Sequence, residues 1–245
     1  VPDSTGLWVA GIDGCKAGWI AALRNLNNPR DLELRFFPAF ADLLACEPFV
    51  RIIAVDMPIG LLDNIGPGGR GPEKAARNHL GQRQSSVFAV PSRPAVYEDD
   101  YPAACETAQK TSQPPKKVSK QCFYLFPKIR EIDVQMTPQL EARVHEVHPE
   151  LAFWRLNGER EMSLPKKIKS RPNPEGLDQR RDLLVSKGLD RTFLDQKPPR
   201  GCGRDDILDA AANSLIAERI LLGQAEPFPK DYRRDERGLR MAIWA

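Results

Sequence analysis

Two runs of apolar residues, Leu7 to Ile12 and Ile52 to Val55, each break off at an aspartate, Asp13 and Asp56. Apolar residues in unbroken succession are what a strand buried on both faces requires, so both runs read as central strands of a sheet. Trp19 to Leu23 reads as the hairpin partner of the first strand, with Gly14 and Gly18 allowing the tight turn. Asp-Gly is also a common turn pair, so this stretch alone fits Asp13 as a turn residue as well as it fits a carboxylate facing a cleft. Leu32 to Phe37 alternates as a third strand, and Ala39 to Cys46 has the spacing of a short amphipathic helix. Pro58, which cannot donate to a strand ladder, closes the run that ends at Asp56.

Three strands, a helix and a fourth strand form the opening of a ribonuclease H-like layout. The expected class is therefore α/β, with a mixed five-stranded sheet flanked by helices. Gly60 to Gly71 is rich in glycine and proline and reads as an exposed loop. Helical spacing then recurs over Glu73 to Leu80, over Ala103 to Lys110, and from Ser119 to Val134 with a kink at Pro127. Residues 60–140 thus read as a helical insertion within a single domain spanning residues 1–245. Arg143 to Glu150 is a short strand running into a helix, with Pro149 near the first helical position. Asp178 to Lys187 is a further helix. The strongest helical pattern covers Arg204 to Gly223, with Ile207, Leu208, Ala211, Leu215 and Ile220 as its apolar stripe and Gly223 at its carboxyl cap. Met241 to Trp244 suits an added edge strand or a docking segment.

A chain of 245 residues can bury a sizeable core. The net charge of +3 points only weakly to an anionic partner. No run of about 20 apolar residues offers a membrane span, so no membrane partner is expected. Asp13 and Lys16 interrupt the first apolar stretch, which does not read as a signal peptide. The five cysteines are scattered, with no C-x-x-C pair, so neither a zinc site nor a disulfide framework is indicated. A reduced, cytoplasmic setting follows. A homodimer is compatible with these features.

The chemistry is carried by acids. Asp206 and Asp209 are three residues apart and share one helix face, while Asp205, about 100° round, suits the helix cap. The helix dipole accounts for acids in a first turn, but Asp209 lies beyond that turn between Leu208 and Ala210. A carboxylate so close to an apolar stripe needs a partner or a metal. Asp13, Asp56, Glu146, Asp206 and Asp209 form a set of hard oxygen donors suited to Mg²⁺ or Mn²⁺. Two such ions clamp the attacking and leaving oxygens of a phosphodiester. Lys16, Arg83, Lys128, Arg130, Lys166 and Lys167 are candidates to meet substrate phosphates, and Ser85 and Ser86 to hydrogen-bond substrate. His148 fits either a proton shuttle or a packed, helix-capping histidine. Gly66 to Gly71 lacks the Gly-Lys-Ser/Thr ending of a P-loop.

The segments Gly11–Trp19, Val55–Gly60, Ser85–Phe88, Pro127–Asp133, Glu146–Glu150 and Asp205–Ala210 resemble the family known as domain of unknown function 429 (DUF429). That family is described as predicted nucleases of the ribonuclease H-like fold, and the resemblance spans nearly the whole chain. Asp206 to Ala210 is also similar to the last acidic motif of bacterial Holliday-junction resolvases. The likeness implies that Asp13 bridges two metals, that Asp56 holds one, and that Asp206 or Asp209 completes the other, with Glu146 the less certain member. The expectation is a Mg²⁺- or Mn²⁺-dependent nuclease acting on DNA or RNA. Its rivals are an ATP-dependent phosphotransferase of the actin and sugar-kinase fold, disfavoured by the short chain, and a non-catalytic nucleic-acid-binding module.

Overall fold

The computed structural model describes residues 6–169 and 171–245. The first apolar run becomes β1 (Trp8–Cys15), and it pairs antiparallel with β2 (Gly18–Asn25), which pairs antiparallel with β3 (Leu32–Phe37). After α1 (Phe40–Leu44), β4 (Val50–Val55) lies parallel to β1. Four helices (α2, Pro72–Arg77; α3, Arg93–Val96; α4, Tyr101–Lys110; α5, Lys120–Phe123) and then α6 (Phe126–Gln135) precede β5 (Val144–Glu146). β5 joins parallel to β4, which completes a mixed five-stranded sheet in the order β3-β2-β1-β4-β5. Helices α7 (Pro149–Leu156), α8 (Pro174–Ser186), α9 (Arg191–Leu194) and α10 (Arg204–Leu221) follow. The expected α/β class with a mixed five-stranded sheet is the fold observed.

Alternation along β1 explains its unbroken apolar run. Trp8, Ala10 and Ile12 enter one core, shared with α1 and the helices between β4 and β5, whereas Val9 enters a second core with α7–α10. The helices between β4 and β5, together with α1, therefore cover one face of the sheet. The other cover is dominated by α10, whose backbone approaches β1 so closely that a Cβ at Gly11 would lie 2.0 Å from Ser214 N and 2.1 Å from the Ala210 carbonyl oxygen. Asn213, fully buried, donates from Nδ2 to the Ile12 carbonyl at 3.0 Å and locks the register of helix on strand.

Two readings of local structure are corrected. The loop from Gly60 to Gly71 is not exposed throughout, because Leu61 and Arg70 are buried. The kink expected at Pro127 is instead a break between two helices, with the proline in the first turn of α6, where its missing N–H costs nothing. The tail resolves its two options as a short strand, Ile243–Trp244, paired antiparallel with Pro227–Phe228. Among the described residues, no helix is long and apolar enough to cross a membrane.

Gly11→Ala tests the close approach. Its methyl collides with two backbone atoms of α10 that cannot rotate away, so the cost should exceed the usual overpacking range of about 1–3 kcal/mol. Chemical denaturation should show a loss of at least about 3 kcal/mol, or the variant should fail to fold.

Candidate active site

Pairing of β1 with β4 ends at Ile12 and Val55, and the Asp56 N–H donates to the Ile12 carbonyl at 3.0 Å. Asp13 and Asp56 therefore leave two adjacent parallel strands side by side. Gly11 and Asp13, two residues apart, share the face covered by α10. Asp209 stands one helical turn before Asn213 and so meets the strand end at Asp13. The acids of three remote segments line one cleft of about 430 Å³, as do Arg83, Ser85, Ser86, Glu146, His148, Lys166 and Lys167.

Electrostatics show how tightly the acids are held. Burial, then repulsion from Asp209, Asp56 and Asp206, pushes the Asp13 carboxyl well above its ordinary range. Burial, reinforced by Asp209 and Glu146, pushes Asp56 up to about 7 against the pull of Lys166, and Asp56 is within hydrogen-bonding reach of Asp13. Neither Asp13 nor Asp56 has an ion-pair partner among the described residues. Asp209 is raised chiefly by burial, opposed by Lys166.

The cation already present in the cluster is Lys166. Its ammonium bonds Asp209 Oδ2 and is held protonated by Asp209, Glu150 and Asp13 despite its burial. Its neighbour Lys167 pairs with Asp205 at 2.7 Å. Lys167 begins a two-stranded hairpin, Lys167–Ile168 against Arg171–Pro172, and Lys166 immediately precedes it. The two lysines expected to meet phosphates are thus bonded to acids of the cleft itself.

Other expectations change once partners are visible. The helix cap is made by Asp206, not Asp205: the cap residue is Gly203, so Asp206 falls at the third helical position and accepts from the Gly203 N–H at 2.8 Å. Burial nevertheless raises Asp206 to about 6. Glu146 lines the cleft, but both its oxygens bond Arg70, and Oε2 also accepts from the Ile59 N–H at 2.8 Å. Arg70, 2% exposed, bonds Glu73 as well, so Glu146 acts here as a brace between β5 and the insertion. His148 caps α7, with Nδ1 accepting from the Glu150 N–H at 3.2 Å and the ring held against the Ser86 backbone. Burial and Lys166 hold it down at about 4, so it is neutral near pH 7, as an Nδ1 that accepts the capping bond requires.

Three basic candidates lie outside the cleft. Lys16 is exposed in the turn between β1 and β2. Lys128 stacks 4.5 Å over the Trp19 ring, and Arg130 is bound to Asp99 and to the carbonyls of Val96 and Glu98. Arg83 stays in the cleft without a carboxylate partner among the described residues. The sequence reading missed Arg70 and the buried Glu150–Arg180 pair, bonded at 2.6 Å, because a lone arginine in a glycine-rich loop or a helix carries no periodic signal.

The donor chemistry fits a hard divalent ion. All the acids offer carboxylate oxygen, and among the described residues Asp209 Oδ1 is buried without a hydrogen-bond partner and Asp13 and Asp56 have no ion-pair partner. Among the described residues, no three His, Cys, Asp or Glu side chains are arranged to hold an ion as they stand. Lys166 occupies Asp209 in their place.

The fold and the cleft define an α/β protein with an acid-lined site beyond the carboxyl ends of parallel strands, where ligands of open α/β sheets bind. A protein-family model described as "Protein of unknown function (DUF429)" matches residues 11–234, and the chain belongs to that family. No curated protein and no solved structure matches it.

The raised Asp56 gives a testable sign. Between its ordinary value of 3.8 and about 7, the native carboxyl holds a proton that the unfolded chain has released. That contribution is complete below the lower value and is lost as pH rises through the upper one. In chelator-containing buffer, Asp56→Asn should gain stability relative to wild type as pH goes from 4 to 7, read by denaturation at each pH. A pH-independent difference would exclude a raised Asp56.

Proposed function

We propose that this protein hydrolyses phosphodiester bonds of nucleic acid with the help of Mg²⁺ or Mn²⁺. The observation that carries the reading is the meeting of Asp13, Asp56 and Asp209, from three distant segments, in one cleft with less positive charge than the acids require. A bound ion pair supplies a water of lowered pKa and neutralises charge on the phosphoryl oxygens. Asp13 and Asp56 would hold the ions, with Asp209 completing the set once Lys166 releases it. Losing their protons to an ion, Asp13 and Asp56 would exchange mutual repulsion for attraction. Arg83, Ser85 and Ser86 line the same cleft and would hold the nucleic-acid backbone, fixing the phosphate for in-line attack. Lys166, released from Asp209, remains beside the acids as positive charge for a phosphate oxygen.

A second reading is favoured by the ion pairs Lys166–Asp209 and Lys167–Asp205. They already balance part of the cluster, as in a binding module that retains its acids only as structure. The two readings part on Mn²⁺ affinity and turnover. The hydrolase reading expects Mn²⁺ binding by calorimetry and Mn²⁺-dependent cleavage of single- or double-stranded DNA, RNA or hybrid. Asp13→Asn should lose at least about 100-fold in cleavage, corresponding to several kcal/mol of lost charge stabilisation, with an unchanged circular dichroism spectrum. Cleavage indifferent to Asp13→Asn, or no Mn²⁺ binding at all, would reject the hydrolase.

A further inference from the structure

A second cavity, of about 230 Å³, opens next to the acid cleft, and Glu73 and Val90 form part of the wall of both. Its walls are largely apolar, built from Ile65, Pro67, Val90, Pro91, Ala108 and Val118. Around them stand four cations, Lys74, Arg77, Lys116 and Lys117, none of which has a carboxylate partner among the described residues. Arg77 is held in place by its Nε, which donates to the Val87 carbonyl at 2.8 Å. The one acid in the lining, Glu73, is neutralised by Arg70 at 2.8 Å. The cavity is therefore an apolar slot inside an uncompensated positive rim.

That combination selects its occupant. Uncompensated cations at a rim attract an anion, and apolar walls beneath them accept a flat ring rather than a bare inorganic ion. The slot is smaller than the usual range of ligand pockets, roughly 300–1,000 Å³, and suits one base rather than a paired helix. A positively charged groove that tracks the backbone holds single strands, and an unpaired base can be gripped between apolar side chains. Glu73 and Val90 form a wall common to the slot and the acid cleft, so the two sites are neighbours.

We propose that the second cavity takes the base and adjoining phosphate of one nucleotide of a single nucleic-acid strand, whose neighbouring phosphodiester lies over Asp13, Asp56 and Asp209. The placement of that phosphodiester rests on the hydrolase reading, whereas the binding of the strand does not. The substrate is accordingly single-stranded, or unpaired at the site of cleavage.

The test is binding in the presence of a chelator, by fluorescence anisotropy of a labelled oligothymidylate and of a duplex of equal length. Lys116→Glu/Lys117→Glu changes two exposed residues, and its folding is checked by thermal melting. Lys187→Glu/Lys197→Glu, also exposed and outside both cavities, carries the same charge change as a control. The single strand should bind the first variant at least tenfold more weakly than wild type and the control within twofold. The dependence of log affinity on log salt should become shallower by about 0.7, the value for one lost phosphate contact of a single strand. The duplex should bind wild type at least tenfold more weakly than the single strand. Equal loss in both variants, no loss in the first, or duplex binding as tight as single-strand binding would overturn the proposal. A parallel Mn²⁺ cleavage assay separates the two readings. Cleavage with unchanged KM in Lys116→Glu/Lys117→Glu discards the second cavity and keeps the hydrolase. Selective loss of strand binding in a protein that never cleaves keeps the cavity and discards the hydrolase.

Discussion

Everything in the cleft depends on how closely α10 lies on β1. The absence of a side chain at Gly11 lets the helix backbone touch the strand, and the Asn213 amide bond to Ile12 fixes where along the strand it touches. Asp209 is carried to the end of β1 by that register. A helix resting on ordinary side chains would sit several ångströms further out, with its carboxylates meeting solvent instead of Asp13. The elevated proton affinities of Asp13, Asp56 and Asp209 are thus consequences of packing as much as of sequence.

Charge balance in the site follows a gradient of pairing. At the outer edge, Glu73 and Glu146 share Arg70, and Glu150 is matched by Arg180. Nearer the middle, Asp205 and Asp209 are met by two successive lysines at the start of a small hairpin rather than by arginines of the core. At the centre, Asp13 and Asp56 have no ion-pair partner among the described residues and feel the charge of Lys166 from beside Asp209. Fully buried arginine pairs are costly to break because either partner is left charged and unpaired. Lys167 lies on an exposed strand of a short hairpin and Lys166 immediately before it, so these pairs tie a peripheral element, rather than the core, to the acids.

The sequence made visible whatever is periodic or punctuated. β1, β3 and β4 were legible because burial on one or both faces leaves a run or an alternation, and α10 because its stripe repeats at helical spacing. Asp13 and Asp56 were legible because a charge that ends an apolar run is conspicuous. Partnerships across distance were not. Nothing local connects Lys166 with Asp209, 43 residues away, or announces that Arg70 turns inward from a glycine-rich loop to reach Glu146. The exchange of roles between Asp205 and Asp206 turned on a single residue of helix start, finer than propensity resolves. Lys128 and Arg130 looked available because their satisfying partners, Trp19 and Asp99, come from other elements.

The burial of Arg70 divides the glycine-rich segment into two mechanical parts. Its guanidinium also donates to the Ile59 and Gly60 carbonyls at 2.8 and 3.0 Å, so the base of the loop is stapled to the sheet. Between the staple and Ile65, Pro67, Gly68 and Gly69 form an arch that shares the wall of the smaller cavity. Lengthening such an arch is thermodynamically mild, about 0.6 kcal/mol per doubling of a flexible loop. An insertion in the arch would therefore change the width of that mouth while the carboxylates behind the staple keep their positions.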